Sequence, residues 1–362
     1  GRDLNSFHYD WSALQPLLAV GCQLNIVHPV RQCDEIYPEL IIYEPDYLVD
    51  ITSVANCFEE YGPTELIHLM KKISPMQCTS AILLGNLMGE LLDAEMYDDD
   101  NTNAYNDTVR RFYKKNVANL LSTETDADFH DKAKRQMMNI RQAVNEKLPH
   151  DIERYKKSEV MLEPSFFSEM LGLQGRMDFL QLDHEVLIEQ KSGKCGFPQR
   201  RPQVPEKKET HYVQTLLYMA LLRYNYSEQY LRNNREGRGL QAYIMYSNYE
   251  ESLYSAAYAP DMVFAALMIR NRIVWREKRY AEGGFDILTR LEADSLNVGG
   301  TTSRLWQGFQ RPQIEALLLP VKLSTPLERA YYMRMMTFVA KEHLLSKVGN
   351  RRKMCSGFAS TW

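Results

Sequence analysis

The chain of 362 residues has little that would staple or anchor it. Its six cysteines (Cys22, Cys33, Cys57, Cys78, Cys195 and Cys355) are scattered, with no Cys-x-x-Cys pair, so neither a disulfide framework nor a paired-cysteine site is indicated. No signal peptide and no uninterrupted apolar run of membrane-spanning length is present, so no membrane partner is expected. Charge of one sign is missing too. The 43 basic and 47 acidic residues leave a net charge of −4, which excludes a surface coated in positive potential; a nucleic acid would have to bind in a local groove. A Gly-x-x-x-x-Gly-Lys-Ser/Thr loop is absent, so the chain carries no phosphate-binding motor of its own. There is no internal repeat and no low-complexity segment. These absences lead to the expectation of a soluble protein of a reducing, cytoplasmic compartment.

What is present suffices for a sizeable core: 44% of the residues are hydrophobic. The length suits two domains, or one with large insertions. The most informative stretch runs from Gly175 to Lys194 and reads as two strands joined by a polar turn. Asp178 falls in the first strand, Glu189 and Lys191 in the second. Side chains two apart on a strand share a face, so Glu189 and Lys191 point together, Gln190 points away, and Asp178 can converge from the adjoining strand. Two carboxylates and an ammonium on one sheet surface are the parts of a divalent-metal phosphodiesterase. Carboxylate oxygens hold Mg²⁺ or Mn²⁺ and leave positions for water and a phosphate oxygen.

Gly175-Arg176-x-Asp178, a short gap, then Glu189-x-Lys191 followed by Gly193-Lys194 resembles the PD-(D/E)XK nuclease superfamily, and within it the RecB-like branch. The segment Lys208–Arg223 strengthens the resemblance. Its apolar residues 213, 216, 217 and 220 follow helical spacing, and Gln214 and Tyr218 match the Gln-x-x-x-Tyr motif of that branch. The resemblance implies an α/β fold: a restriction-endonuclease-like core with a central mixed sheet flanked by helices, a strand-containing N-terminal lobe and a helical insertion. The expected division is residues 1–78 for the lobe, 79–290 for the core with an insertion at about 104–160, and 291–362 for a C-terminal extension.

The resemblance also implies roles. Asp178, Glu189 and Lys191 are the expected catalytic residues. Asp178, Glu189 and the main-chain carbonyl of Gln190 are the expected ligands of Mg²⁺ or Mn²⁺. Gln214, Tyr218, Arg176, Lys194, Arg200 and Arg201 are expected to contact DNA. Relatives place a Gly-x-x-x-His helix upstream, its His an extra metal ligand. Here Gly85 matches but Gly89 stands where the His would be, which leaves Asp93 or Glu90 as substitutes and a solvated helix edge as the alternative. Relatives with an iron–sulfur cluster use one early and three late cysteines. Cys78 fits the early slot, but only Cys355 lies downstream of the Gln-x-x-x-Tyr helix, where the other three would stand, so no cluster is expected.

Two readings stay open for the basic edge Arg110, Arg111, Lys114 and Lys115: solvation, or contact with a DNA backbone. His211, one turn before Gln214, is a further candidate to face substrate. The expected activity is metal-dependent hydrolysis of DNA, single-stranded or end-containing, in repair or recombination. The alternative is a catalytically weak nuclease-fold module that binds DNA for a helicase. The leading Gly1 and the apolar ending at Trp362 suggest a domain excised from a longer protein, with a helicase domain or subunit as its companion.

Overall fold

The strand Val186–Lys191 is buried along five of its six residues, as an apolar run flanked on both faces must be. This computed structural model describes residues 9–75, 77–97, 104–125, 127–195, 207–251 and 253–349. The chain divides into two compact units, residues 75–166 with 176–258, and residues 1–74 with 167–175 and 259–362.

In the first of these units Val186–Lys191 is the middle of a five-stranded sheet, ordered Leu253–Ser255, Gln241–Tyr246, Val186–Lys191, Phe179–Gln181, Val160–Leu162. It pairs in parallel with Gln241–Tyr246, Val186 opposite Gln241 and Lys191 opposite Tyr246. With Phe179–Gln181 it pairs antiparallel, Leu187 opposite Leu180 and Ile188 opposite Phe179. The sheet is therefore mixed, as expected. A parallel neighbour needs a long crossover, supplied here by the helices Glu209–Asn225 and Ser227–Arg235.

Helices cover the sheet according to the two-residue period of its strands. Val186, Ile188, Phe179 and Met245 pack against Leu83, Leu87, Phe112, Phe129 and Ile140. Those partners come from the helices Ser80–Tyr97, Ala104–Lys115 and Phe129–Gln142. In the first of them Leu83, Leu84, Leu87, Met88, Leu91 and Leu92 recur every three or four residues, which places them on one side, and Thr79 Oγ1 accepts from the Ile82 amide to cap its start. On the other sheet face Ile244 and Tyr246 pack with Cys195 and Tyr212.

The second unit is centred on the helix Pro260–Ala281, with proline at its start where a missing amide costs nothing. Arg270 in this helix is wholly buried. Its guanidinium donates to the carbonyls of Gly172 (3.0 Å), Glu44 (2.8 Å), Tyr47 (2.6 Å) and Tyr43. Asp46–Ile51, which reads as a strand, is extended only at Val49–Asp50; Ile51 opens a short helix. Asp50 does not cap that helix but accepts from Gln174 Nε2 at 2.7 Å. Arg311–Leu323 is helical. Pro312 sits in its first turn, where proline is tolerated, and Pro320 lies inside the helix. Thr325 and Glu328 then form a reciprocal capping box for Pro326–Val348.

Candidate active site

A cleft of about 790 Å³ opens beside the carboxyl end of the central strand. Arg176, Asp178, Gln190 and Lys191 line it from the sheet, and Gly85, Gly89, Glu90 and Asp93 from the helix Ser80–Tyr97. Arg111 and Lys115 belong to the neighbouring helix, Glu163 to a loop, and Lys208 and His211 to the start of the crossover.

Strand register brings the acids together. With Ile188 opposite Phe179, the preceding residue Asp178 falls beside Glu189 and Gln190. The Gln190 amide donates to Asp178 Oδ2 at 2.7 Å. Lys191 and Glu185 turn their carbonyls to the parallel neighbour, accepting from Ser247 and Gln241 at 3.0 and 2.8 Å. Alternate residues turn the other way, so the Gln190 carbonyl faces the Asp178 side along with its amide. The Gln190 side chain points to the opposite face, where Nε2 donates to Ser247 Oγ at 3.0 Å.

Glu189 is 1% exposed. Its Oε1 accepts from Lys191 Nζ and from Gln214 Nε2, each at 2.6 Å. Its Oε2 is buried and, among the described residues, accepts from no group. Burial and then the neighbouring Asp178 carboxylate drive the Glu189 pKa well above the usual carboxylate range, against the pull of Lys191. For Lys191 burial acts to lower the pKa, but Glu189 and Asp178 outweigh it and the value rises. The ammonium is charged, and beside it two carboxyl groups press on each other with an oxygen left over.

The crossover helix holds from behind both Glu189 in its strand and the backbone just ahead of Asp178, which lies in a bend before Phe179–Gln181 and not within a strand as expected. Gln214 holds Glu189, and one turn later Tyr218 Oη donates to the Arg176 carbonyl at 2.6 Å. Both side chains are buried and neither lines the cleft. Expected as DNA contacts, here they hold Glu189 and the Arg176 carbonyl. Four-residue spacing puts them on one helix face, that face meets the sheet, and spacing alone does not say which surface a face meets. Lys194 is exposed and lies outside the cleft lining. Arg200 and Arg201 fall outside the described residues.

Across the cleft, burial and then Glu163, Glu90 and Asp178 raise the Asp93 pKa to about 6, while Arg176 offsets part of this. Glu90 pairs with Lys115 at 3.0 Å. Of the two acids left open by the sequence, Asp93 is thus the one electrostatically joined to Asp178. A Cβ at Gly89 would meet nothing within 4 Å, so the missing side chain leaves open space. Glu163 went unrecognised in the sequence. It pairs with Arg176 at 3.0 Å, and its amide donates to the Asp178 carbonyl at 3.1 Å. Its φ of +50° is a left-handed value that non-glycine residues rarely adopt, and a residue in such a conformation carries no periodic signal.

The donor set fits a hard divalent cation. An orphaned buried carboxylate oxygen, a second carboxylate beside it and a main-chain carbonyl on the same side are oxygen ligands of the kind Mg²⁺ and Mn²⁺ take. Among the described residues no three His, Cys, Asp or Glu side chains form a cage of their own.

Residues 8–181 match the family described as DNA replication factor Dna2. The match takes in Glu163 and Asp178 and stops short of Glu189 and Lys191. No curated protein matches the chain. A solved structure from Eubacterium rectale, described as a "putative exonuclease", aligns with a TM-score of 0.39 and 13% identity over 66% of this chain and 83% of that one. No helix among the described residues is long and apolar enough to cross a membrane.

Proposed function

We propose that the cleft hydrolyses phosphodiester bonds in DNA, as a metal-dependent nuclease of the RecB-like PD-(D/E)XK type with a restriction-endonuclease-like core. The observation that carries this reading is the buried, unpartnered Oε2 of Glu189 beside Asp178, next to a charged lysine. An anion-binding module has no use for two crowded carboxylates where a phosphate must approach. A purely structural pair would have satisfied that buried oxygen. The likeness of residues 8–181 to a DNA replication factor family supports DNA as the substrate, and a helicase as the companion is part of the same proposal.

Asp178, Glu189 and the Gln190 carbonyl would hold the cation, with Asp93 as the acid across the cleft. A bound divalent ion supplies charge neutralisation at the phosphate and lowers the pKa of water. The chain's residues do the rest. Lys191 Nζ, held by Glu189, stands where it can orient the attacking water and offset charge building on the phosphate. Gln214 and Tyr218 fix the two acid strands. Arg111, Lys115 and Lys208 give the cleft cationic edges for flanking phosphates, and single-stranded or end-containing DNA is the proposed form.

Incubating the chain with labelled single- and double-stranded DNA in Mg²⁺, in Mn²⁺ and in EDTA tests this. Cleavage in either metal and none in EDTA is expected. Binding without cleavage in every condition would favour the non-cutting module, a reading that the open space at Gly89 supports.

A further inference from the structure

One wall of the cleft holds a neutral hydrogen-bond donor whose direction is set by a buried tyrosine. Tyr246 ends the strand Gln241–Tyr246 and is fully buried. Its hydroxyl oxygen accepts from the Lys208 amide at 3.1 Å and lies 3.0 Å from Nδ1 of His211. A phenol has one proton to give. The amide is a donor only, so among the described residues Nδ1 is the acceptor for that proton. Nδ1 is therefore unprotonated and the imidazole proton sits on Nε2, from which no described residue accepts. Burial, followed by the Lys191 and Lys208 ammonium groups, lowers the ring pKa to about 3. The ring is neutral at physiological pH.

The surroundings specify what such a donor meets. His211 shares the cleft with Lys191, Lys208 and Arg176, cations that draw an anion. Nε2–H gives a proton and offers no lone pair, so it suits an acceptor-only oxygen and withholds itself from a cation. We propose that His211 Nε2–H hydrogen-bonds a non-bridging phosphate oxygen of the strand in the cleft, with Tyr246 locking the tautomer from behind. This rests on reading the cleft as a phosphodiester site. A neutral donor beside two lysines adds direction without adding charge, so it fixes which phosphate oxygen is presented to Lys191 and leaves the net electrostatic attraction as it was.

The test uses the full chain and a labelled single-stranded oligonucleotide, with cleavage followed in Mn²⁺ and binding in Ca²⁺. His211→Ala is expected to weaken binding and kcat/KM by about 10-fold, the loss of one hydrogen bond to a charged group. His211→Gln, which keeps a terminal N–H donor, recovers most of the loss. Tyr246→Phe, which frees the ring, lies between. Because no charge is removed, the slope of log affinity against log salt stays unchanged in His211→Ala, whereas Lys208→Ala lowers it by about one. Wild-type binding and cleavage in His211→Ala overturn the assignment while leaving the nuclease reading intact. So does a salt slope reduced by about one in that variant, which would mark a cationic contact, or a loss that His211→Gln does not recover, which would mark a structural role. Absence of both binding and cleavage in the wild-type chain overturns the phosphodiester reading and this inference together.

Discussion

Gln214 Nε2 donates to Glu189 Oε1 at 2.6 Å, inside the protein and away from the cleft. A hydrogen bond from a neutral amide to a buried carboxylate orients the acid and satisfies one oxygen, while leaving the other for a cation. Support of this kind behind metal-ligating carboxylates is worth about 10- to 100-fold in affinity or activity. Gln214→Leu is therefore expected to lower kcat for DNA cleavage at least 10-fold with KM nearly constant, read from steady-state kinetics at saturating metal. A rise in KM alone would place Gln214 against DNA.

Tyr218 holds the other strand. Its hydroxyl bond to the Arg176 carbonyl lies two residues from Asp178, so Tyr218→Phe removes one buried hydrogen bond and leaves a carbonyl without its partner. We expect a stability loss of about 1–2 kcal/mol in denaturant unfolding. Cleavage should fall along with stability, since the segment that leads into Asp178 loses its anchor.

Glu189→Gln should abolish metal-dependent cleavage and stabilise the metal-free protein. The folded pKa of Glu189 is pushed up to about 8 from 4.5. Its contribution to stability is thus complete below the ordinary carboxylate range and is lost as pH rises through the folded value. Unfolding in EDTA should show wild-type stability declining between about pH 4.5 and 8, and a flatter profile in the glutamine variant. The same slope in both proteins would assign the titration to another group.

Glu277, in the second unit, has the opposite sign. Burial acts to raise its pKa, but the His68 hydrogen bond at 3.2 Å and the Lys72 ammonium win, lowering it to about 2. Its stabilisation is present above the unfolded value and lost as pH falls toward 2. Glu277→Gln should cost about 3 kcal/mol at neutral pH, because the partly buried Lys72 ammonium loses its counter-charge, and the acid limb of the stability profile should become shallower. Calorimetry across pH 2–7 measures both effects.

Gly172 has φ of +61°, and a Cβ there would stand 2.1 Å from Arg270 Nη2. Gly172→Ala is expected to destabilise the protein by about 3 kcal/mol or more, the sum of a strained backbone and a clash with an immobile side chain. A thermal unfolding midpoint unchanged from wild type would show that the guanidinium can move after all.

Much of the candidate site was legible because it is local. Asp178, Glu189 and Lys191 sit within fourteen residues, Asp178 in the bend just ahead of the strand Phe179–Gln181 and the other two on Val186–Lys191, and the two-residue period of a strand already decides that Glu189 and Lys191 point together. Helical spacing likewise marked Lys208–Arg223, which the structure shows as the helix Glu209–Asn225. Where a residue's environment is made by distant segments, the sequence was silent. Arg270 reads as one more cation on a basic helix, yet it is buried against carbonyls from residues 43 to 172.

Periodicity, set by the backbone geometry of each element, was thus enough by itself to mark the helix that carries Gln214 and Tyr218 and to point Glu189 and Lys191 to one face, while the α/β character was implied by the resemblance those motifs carry. Tertiary packing alone decided that Gln214 and Tyr218 turn inward, that Asp93 and Glu163 join the acids, and that Tyr246 sets the proton of His211. Those facts depend on which surface each face meets, and contacts between segments far apart in the chain leave no mark in local spacing.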